Sequence, residues 1–156
     1  MSLALAAAEK NTNNVMVDYL NAPVHVAIGI ILNLQQDVLL ALRHPHADQG
    51  GLWEFPGGKM EGSESSYQAL CRELKEELDI QIVAATRFTQ VSHVYESYTV
   101  ELHVWKVTRF SGNPKGMQGQ PIRWVSRGEL SAWPLPPANR QIVSRLSSDV
   151  WAAILP

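Results

Sequence analysis

Cysteine is nearly absent from this chain of 156 residues: Cys71 stands alone. That excludes an intrachain disulfide and a zinc site built from several thiolates, and it fits a reducing cytoplasm. Excess charge of either sign is lacking too. A formal net charge of −2 argues against a basic face that tracks polymeric nucleic acid, so metal ions would have to supply much of the attraction for any polyanionic substrate. Long apolar runs are also missing, and none approaches the roughly 18 residues of a membrane span. Leu3 to Ala8 is apolar but short, has no basic leader and runs into Glu9 and Lys10, so it does not read as a signal peptide. We expect a soluble cytoplasmic protein with no membrane partner.

What is present suffices for one core. A hydrophobic fraction of 46% in a chain of this length supports a single domain, expected over residues 23–156. Residues 1–22, with Asn-Thr-Asn-Asn, read as a partly flexible N-terminal tail. Val24 to Leu32 is β-branched and almost wholly apolar, a strand buried on both faces, and Val38 to Leu42 is a second strand after a polar turn. His44 to Gly51 reads as a loop. From Ser63 to Leu78 there is no glycine or proline, and Tyr67, Leu70, Leu74 and Leu78 recur at helical spacing, predicting about four turns of helix. Phe88 to Val94 and Thr99 to Phe110 read as strands. In the second, Val100, Leu102 and Val104 alternate with Glu101 and His103, which gives it one apolar and one polar face. A long loop over 111–120, a short strand Ile122 to Val125, and a final helix carrying Ile142, Val143 and Leu146 complete the chain. Strands and helices alternate irregularly, so the expected fold class is α/β, a mixed β-sheet with helices packed on it.

The chemistry concentrates between Pro56 and Ile80. On the expected helix Glu73, Glu76 and Glu77 share one stripe, at three- and four-residue spacing. Such a run is ordinarily a solvated acidic face. Here the carboxylates crowd the C-terminal half of the helix, where the macrodipole disfavours negative charge, and a glycine-rich segment lies just upstream. A hard cation bound through oxygen ligands would offset both costs.

Gly58, five residues, Glu64, seven residues, Arg72-Glu73-Leu74, one residue, Glu76-Glu77, then Leu78-Asp79-Ile80 resembles the signature of the Nudix hydrolases, with every charged position at its spacing. The resemblance implies a Nudix-type mixed β-sheet sandwiched between α-helices. It implies Mg2+, or Mn2+ in its place, held by Glu73, Glu76, Glu77 and the backbone carbonyl of Gly57, and an Arg72–Glu64 pair fixing loop against helix. The implied reaction is attack of water on a nucleoside triphosphate, releasing a nucleoside monophosphate and pyrophosphate. One position departs: the glycine expected near the end of the signature is Asp79. Aspartate tolerates the left-handed conformation better than most residues, so we expect an intact helix with a slightly strained terminus.

Residues outside the signature resemble the MutT branch, which sanitises oxidised guanine nucleotides. Trp53 to Lys59, Gly119-Gln120-Pro121 and Leu135-Pro136-Pro137-Ala138-Asn139 carry this likeness, which extends over about Val24 to Leu146. It implies that Asn139 reads the base, with N-terminal helix capping as the plain alternative. Phe55, Lys59, Arg43, Tyr95 and Tyr98 are further substrate-binding candidates, the tyrosines as stacking surfaces. Gln118 stands where this branch carries a glutamate, so either Glu101 substitutes as ligand or base, or the helix glutamates act alone. Leu42 and Tyr98 stand where the bacterial pattern has arginines. CTP or another nucleoside diphosphate derivative therefore remains an alternative substrate, and a nucleotide-binding sensor an alternative class. His44 and His46 read as solvated, His93 and His103 as structural, and Trp53, Trp105, Trp124, Trp133 and Trp151 as core or pocket walls.

Overall fold

A computed structural model describes residues 22–148, and the N-terminal tail reading and Trp151 lie outside them. Its strands are β1 (Val24–Ile31), β2 (Val38–Leu42), β3 (Trp53–Glu54), β4 (Gly57–Lys59), β5 (Gln81–Val94), β6 (Thr99–Ser111) and β7 (Ile122–Val125). The helices are α1 (Ser66–Leu78) and α2 (Pro137–Ser148), with a 3-10 turn over Arg127–Ala132 before the second. A four-stranded sheet runs β4-β1-β6-β5, and a three-stranded antiparallel sheet runs β3-β2-β7. The larger sheet is mixed, since β1 pairs parallel with β6 and antiparallel with β4.

Strand β1 is buried on both faces, as its unbroken apolar sequence predicts. Ala27 and Ile31 pack with Leu70, Leu74 and Leu78 of α1 on one side, while Ile28 and Ile30 pack with Ile142, Val143 and Leu146 of α2 on the other. The two helices thus enclose the sheet. Leu70, Leu74 and Leu78 are each fully buried, worth about 1.5–3 kcal/mol apiece, and this anchors the acidic stripe beside them.

Three local expectations change. The helix begins at Ser66, because Ser65 caps it: its Oγ accepts from Gln68 N at 3.1 Å, and Gln68 Oε1 accepts from Ser65 N at 2.9 Å. Strand β5 starts at Gln81, seven residues before Phe88. Its pairing with β6 slips between Ile82 and Ala84, between Ala84 and Ala85, and between Arg87 and Thr89, and each irregularity breaks the two-residue alternation that would reveal a strand. Strand β4 is masked in the sequence by its two glycines. Among the described residues no helix is long and apolar enough to cross a membrane.

Candidate active site

The glycines of β4 bring backbone and carboxylates together. Gly57 has φ +152, and a Cβ there would sit 2.7 Å from Ile28 Cα, so only glycine allows β4 to lie this close to β1. At Gly58 a Cβ would run into the Glu73 carboxylate. Helix α1 therefore packs its acidic stripe onto bare backbone.

Arg72 organises this contact. Its Nε and NH2 donate to the two Glu64 oxygens at 2.8 and 2.9 Å, NH2 also donates to Lys59 O at 3.0 Å, and NH1 donates to Glu73 at 2.8 Å. Glu76 lies at 3.5 Å from NH1, and its side chain is 58% exposed. The backbone N–H of Glu61 donates to Glu64 at 2.8 Å, and the Arg72 guanidinium holds the Glu64 carboxyl below the usual range. The Arg72–Glu64 pair expected between loop and helix is thus present as a two-pronged fork.

Glu77 is in a different electrostatic state. Burial first, then the neighbouring Glu73, then Glu54 push its carboxyl up to about 8, against a hydrogen bond from the Gly57 N–H. Among the described residues no three His, Cys, Asp or Glu converge at metal-binding distance. A cation drawing on all three helix glutamates would need their side chains to draw together.

Helix α1 ends as its sequence suggests. Asp79 adopts φ 55 and ψ 39, its N–H reaches the carbonyls of Leu74 and Lys75, and its side chain accepts from Lys75 Nζ at 2.7 Å. The 111–120 loop closes over this end: Lys115 N donates to Leu78 O at 3.1 Å, Met117 N to Glu77 O at 2.9 Å and Gln120 Nε2 to Glu77 O at 3.1 Å. Unpaired helix-end carbonyls are thereby satisfied. Gln118 itself is exposed and lies outside the cavity lining.

A cavity of about 540 Å³ opens beside Glu77. Val24, Val26, Ile28, Val100 and Leu102 supply its apolar wall from β1 and β6. Gly57, Gly58 and Lys59 enter from β4, while Phe55, Arg43, Tyr95, Tyr98 and Asn139 line it elsewhere. Every substrate-binding candidate therefore borders one space, although Phe55 is only 1% exposed and serves chiefly as core. Glu101 needs correction as a ligand or base. Val100 and Leu102 face the cavity, so strand alternation turns Glu101 to the opposite face, where it accepts from Gln90 Nε2 at 2.9 Å. His25 and His103 share that face, hydrogen bonded to each other at 2.9 Å.

Asn139 does not cap α2, since it is the third residue of a helix that begins at Pro137. Its Oδ1 accepts instead from Phe55 N at 3.1 Å. Because an N–H can be met only by the oxygen, this bond fixes the amide orientation and turns the NH2 group to other partners. His93 is tied to Gln141 at 2.8 Å, in keeping with a structural role. His44 Nδ1 accepts from His46 N at 3.1 Å inside the loop. Trp53 and Trp133 meet edge to face in the core, whereas Trp124 is 37% exposed and stacks on Phe110 outside it.

Two cavity residues were given no role at the site by the sequence. Glu54 sits between Arg43, at 2.6 Å, and the field of Glu77, with burial raising its carboxyl. A lone acid within the apolar run Leu52-Trp53-Glu54-Phe55 was the available signal. Asp48 is the other: it lines the cavity and takes the Tyr98 hydroxyl bond, which no local pattern announces.

A model of the NUDIX domain matches residues 27–145. An 8-oxo-dGTP diphosphatase of Escherichia coli is 35% identical over 79% of this chain and 95% of its own length. A CTP pyrophosphohydrolase of the same organism is 38% identical over 72% of this chain and 83% of its own. Among solved structures, a MutT from work on Aliivibrio salmonicida and Vibrio cholerae superposes with a TM-score of 0.70 at 35% identity, covering 81% of this chain and 98% of that one. The Escherichia coli ORF135 protein superposes with a TM-score of 0.74 at 34% identity, covering 86% and 94%. With the sequence signature, the sheet between two helices and the glutamate-bearing helix against a diglycine strand all in agreement, the chain belongs to the Nudix family, in its MutT-like branch of hydrolases acting on phosphoric anhydride bonds.

Proposed function

We propose that this protein hydrolyses a nucleoside triphosphate to a nucleoside monophosphate and pyrophosphate with Mg2+, or Mn2+ in its place, held by Glu73, Glu76, Glu77 and the Gly57 carbonyl. The observation that carries this reading is the placement of two carboxylates on the diglycine strand: Glu77 lines the cavity with Gly57 and Gly58, and Glu73, held by Arg72, lies against Gly58. Two carboxylates so placed favour a cation between them, and an all-oxygen donor set suits a hard one. When bound, Mg2+ neutralises the phosphate chain and acidifies water.

The protein's own residues do the positioning. Arg72 orients Glu73 while Glu64 locks Arg72, so the carboxylate does not have to be ordered anew for each turnover. Gly57 N–H holds Glu77 at the cavity wall. The nucleoside enters between the apolar sheet face and Tyr95 and Tyr98, whose rings lie 5.0 Å apart. Asn139, its oxygen already engaged, offers NH2 to a carbonyl on the base. Guanine, cytosine and thymine all offer such a carbonyl and adenine does not, and the 35% identical relative named for 8-oxo-dGTP favours a guanine nucleotide among them. CTP is the second reading, favoured by Tyr98 in place of a cationic side chain and by the CTP-hydrolysing relative.

A panel of nucleoside triphosphates, assayed for pyrophosphate release with and without Mg2+, tests the proposal. Mg-dependent release from at least one triphosphate, strongest with a guanine form, is expected. Absence of turnover across the panel would overturn the triphosphatase reading and leave a Nudix enzyme for another nucleoside diphosphate derivative or a nucleotide-binding sensor.

A further inference from the structure

Asp48 stands at the centre of a chain of contacts around the cavity mouth. Arg43 donates through NH1 to Glu54 at 2.6 Å and through Nε to the backbone carbonyl of Asp48 at 2.8 Å, so the loop backbone at this point is tied down while the carboxylate is left to other donors. The Tyr98 hydroxyl donates to Asp48 Oδ2. Tyr98 lies against Tyr95, whose hydroxyl accepts from Ala138 N at 3.3 Å, one residue from Asn139. Glu54, Arg43, Asp48, Tyr98, Tyr95 and Asn139 all border the same cavity.

The hydrogen-bonding character of this rim is restricted. Phe55 N–H engages one lone pair of Asn139 Oδ1 and fixes the amide, so the NH2 group is the donor that Asn139 turns to a ligand. Asp48 presents acceptors only. Burial and the Asp48 contact push the Tyr98 hydroxyl up to about 12, so it stays protonated and remains the donor in its bond to Oδ2. Oδ1, and the second lone pair of Oδ2, are left to accept further bonds.

We propose that Asp48 is a specificity-determining residue that accepts the ring N–H and exocyclic amino group of a guanine-type base while Asn139 donates to that base's carbonyl. A 6-carbonyl followed by N1–H and a 2-amino group sets one acceptor beside two adjacent parallel donors, and a carboxylate receives two such donors together. Adenine brings a bare N1 and no 2-amino group to the carboxylate, acceptor against acceptor. Cytosine places a bare ring nitrogen between its amino and carbonyl groups, acceptor against carboxylate. The inference rests on the nucleoside triphosphatase reading and adds the residue that selects the base. It is independent of oxidation at C8, because the edge it reads is the same in both forms.

The test compares dGTP with dITP, which lacks only the 2-amino group, in the wild type, Asp48→Ala and Tyr98→Phe. The wild type should prefer dGTP by about tenfold or more in kcat/KM, as a site built around a charged acceptor rejects an analogue that leaves it unpaired. Asp48→Ala should bring the ratio to near unity. Tyr98→Phe, which keeps the ring and the carboxylate but frees Oδ2, should retain a preference for dGTP that is weaker than in the wild type and stronger than in Asp48→Ala. Equal losses for both substrates in Asp48→Ala, or a wild type indifferent to the amino group, would overturn the proposal and make Asp48 a clasp for the loop. Binding of dGMP and dIMP by calorimetry to the same three proteins reads the same ratio without turnover. A failed triphosphatase reading would therefore show as no hydrolysis with base selection intact, and a failed Asp48 proposal as selection that the alanine variant does not change. Melting temperatures of the variants confirm that each folds.

Discussion

Arg72 and Glu64 meet as a two-pronged pair, with Nε and NH2 at 2.8 and 2.9 Å from the two carboxylate oxygens, while the third guanidinium nitrogen reaches Glu73 at 2.8 Å. A planar fork is required for this, and lysine cannot supply one. Arg72→Lys should keep the charge and the fold yet lower kcat/KM by about 10–100-fold, the usual cost of losing a group that orients a metal ligand. Steady-state kinetics across Mg2+ concentrations checks this. Loss confined to kcat with unchanged Mg2+ dependence would argue against a ligand-orienting role.

The same pair sets an acid limb in stability. The Glu64 carboxyl is held below its ordinary value by Arg72, so its contribution is fully present above the unfolded carboxyl range and is lost as pH falls through the lowered folded value. Glu64→Gln should therefore be less stable than the wild type at neutral pH, and the two should converge as the solution is taken below about pH 4. Urea unfolding at a series of pH values measures the difference. A gap independent of pH would remove the ion pair as its cause.

At Gly58 the adjacent Glu73 carboxylate fills the place a side chain would take. Gly58→Ala should leave a folded protein, because the obstructing group is the end of a flexible side chain, while weakening Mg2+ dependence by about 10–100-fold as Glu73 is displaced. Calorimetric Mn2+ titration reads this directly. Unaltered affinity would place Glu73 outside the metal site.

Asn139→Asp separates two functions of one side chain. The carboxylate still accepts from Phe55 N–H, whereas the NH2 donor is gone. Thermal stability should fall modestly, because the new carboxylate is buried in a cavity that Glu54 and Glu77 already line, and kcat/KM for guanine nucleotides should fall by about tenfold or more. Asn139→Ala removes both, leaving a buried N–H unpaired at a cost of about 1–3 kcal/mol. Equal effects of the two substitutions on base preference and on melting would make Asn139 purely structural.

Asp79 occupies a left-handed conformation at φ 55. Asp79→Ala should destabilise modestly, since alanine tolerates the left-handed conformation less well than aspartate and the contact to Lys75 is lost. Asp79→Gly should be closer to neutral, exchanging backbone relief for the exposed Lys75 pair at 2.7 Å. Chemical denaturation distinguishes them, and activity at saturating Mg2+ should be unchanged in both.

Much of this architecture is local and so was legible in the chain. The apolar run of β1, the leucine spacing of α1 and the spacing of the acids around Arg72 each follow from short-range periodicity, and together they carry the family and the position of the glutamates. No nearby pattern encodes which distant groups meet. Bulged pairing conceals the first half of β5. Strand alternation, visible in Val100 to Val104, says that Glu101 faces away from Leu102 but not which face borders the cavity. The helix, its acid stripe and the double-sided burial of β1 are written in the residues alone, because backbone periodicity and side-chain polarity act over a few positions. That Asn139 binds Phe55, that Tyr98 binds Asp48 and that Glu101 is turned away are settled by the folded chain, because each depends on how separate strands and helices come together to close one cavity.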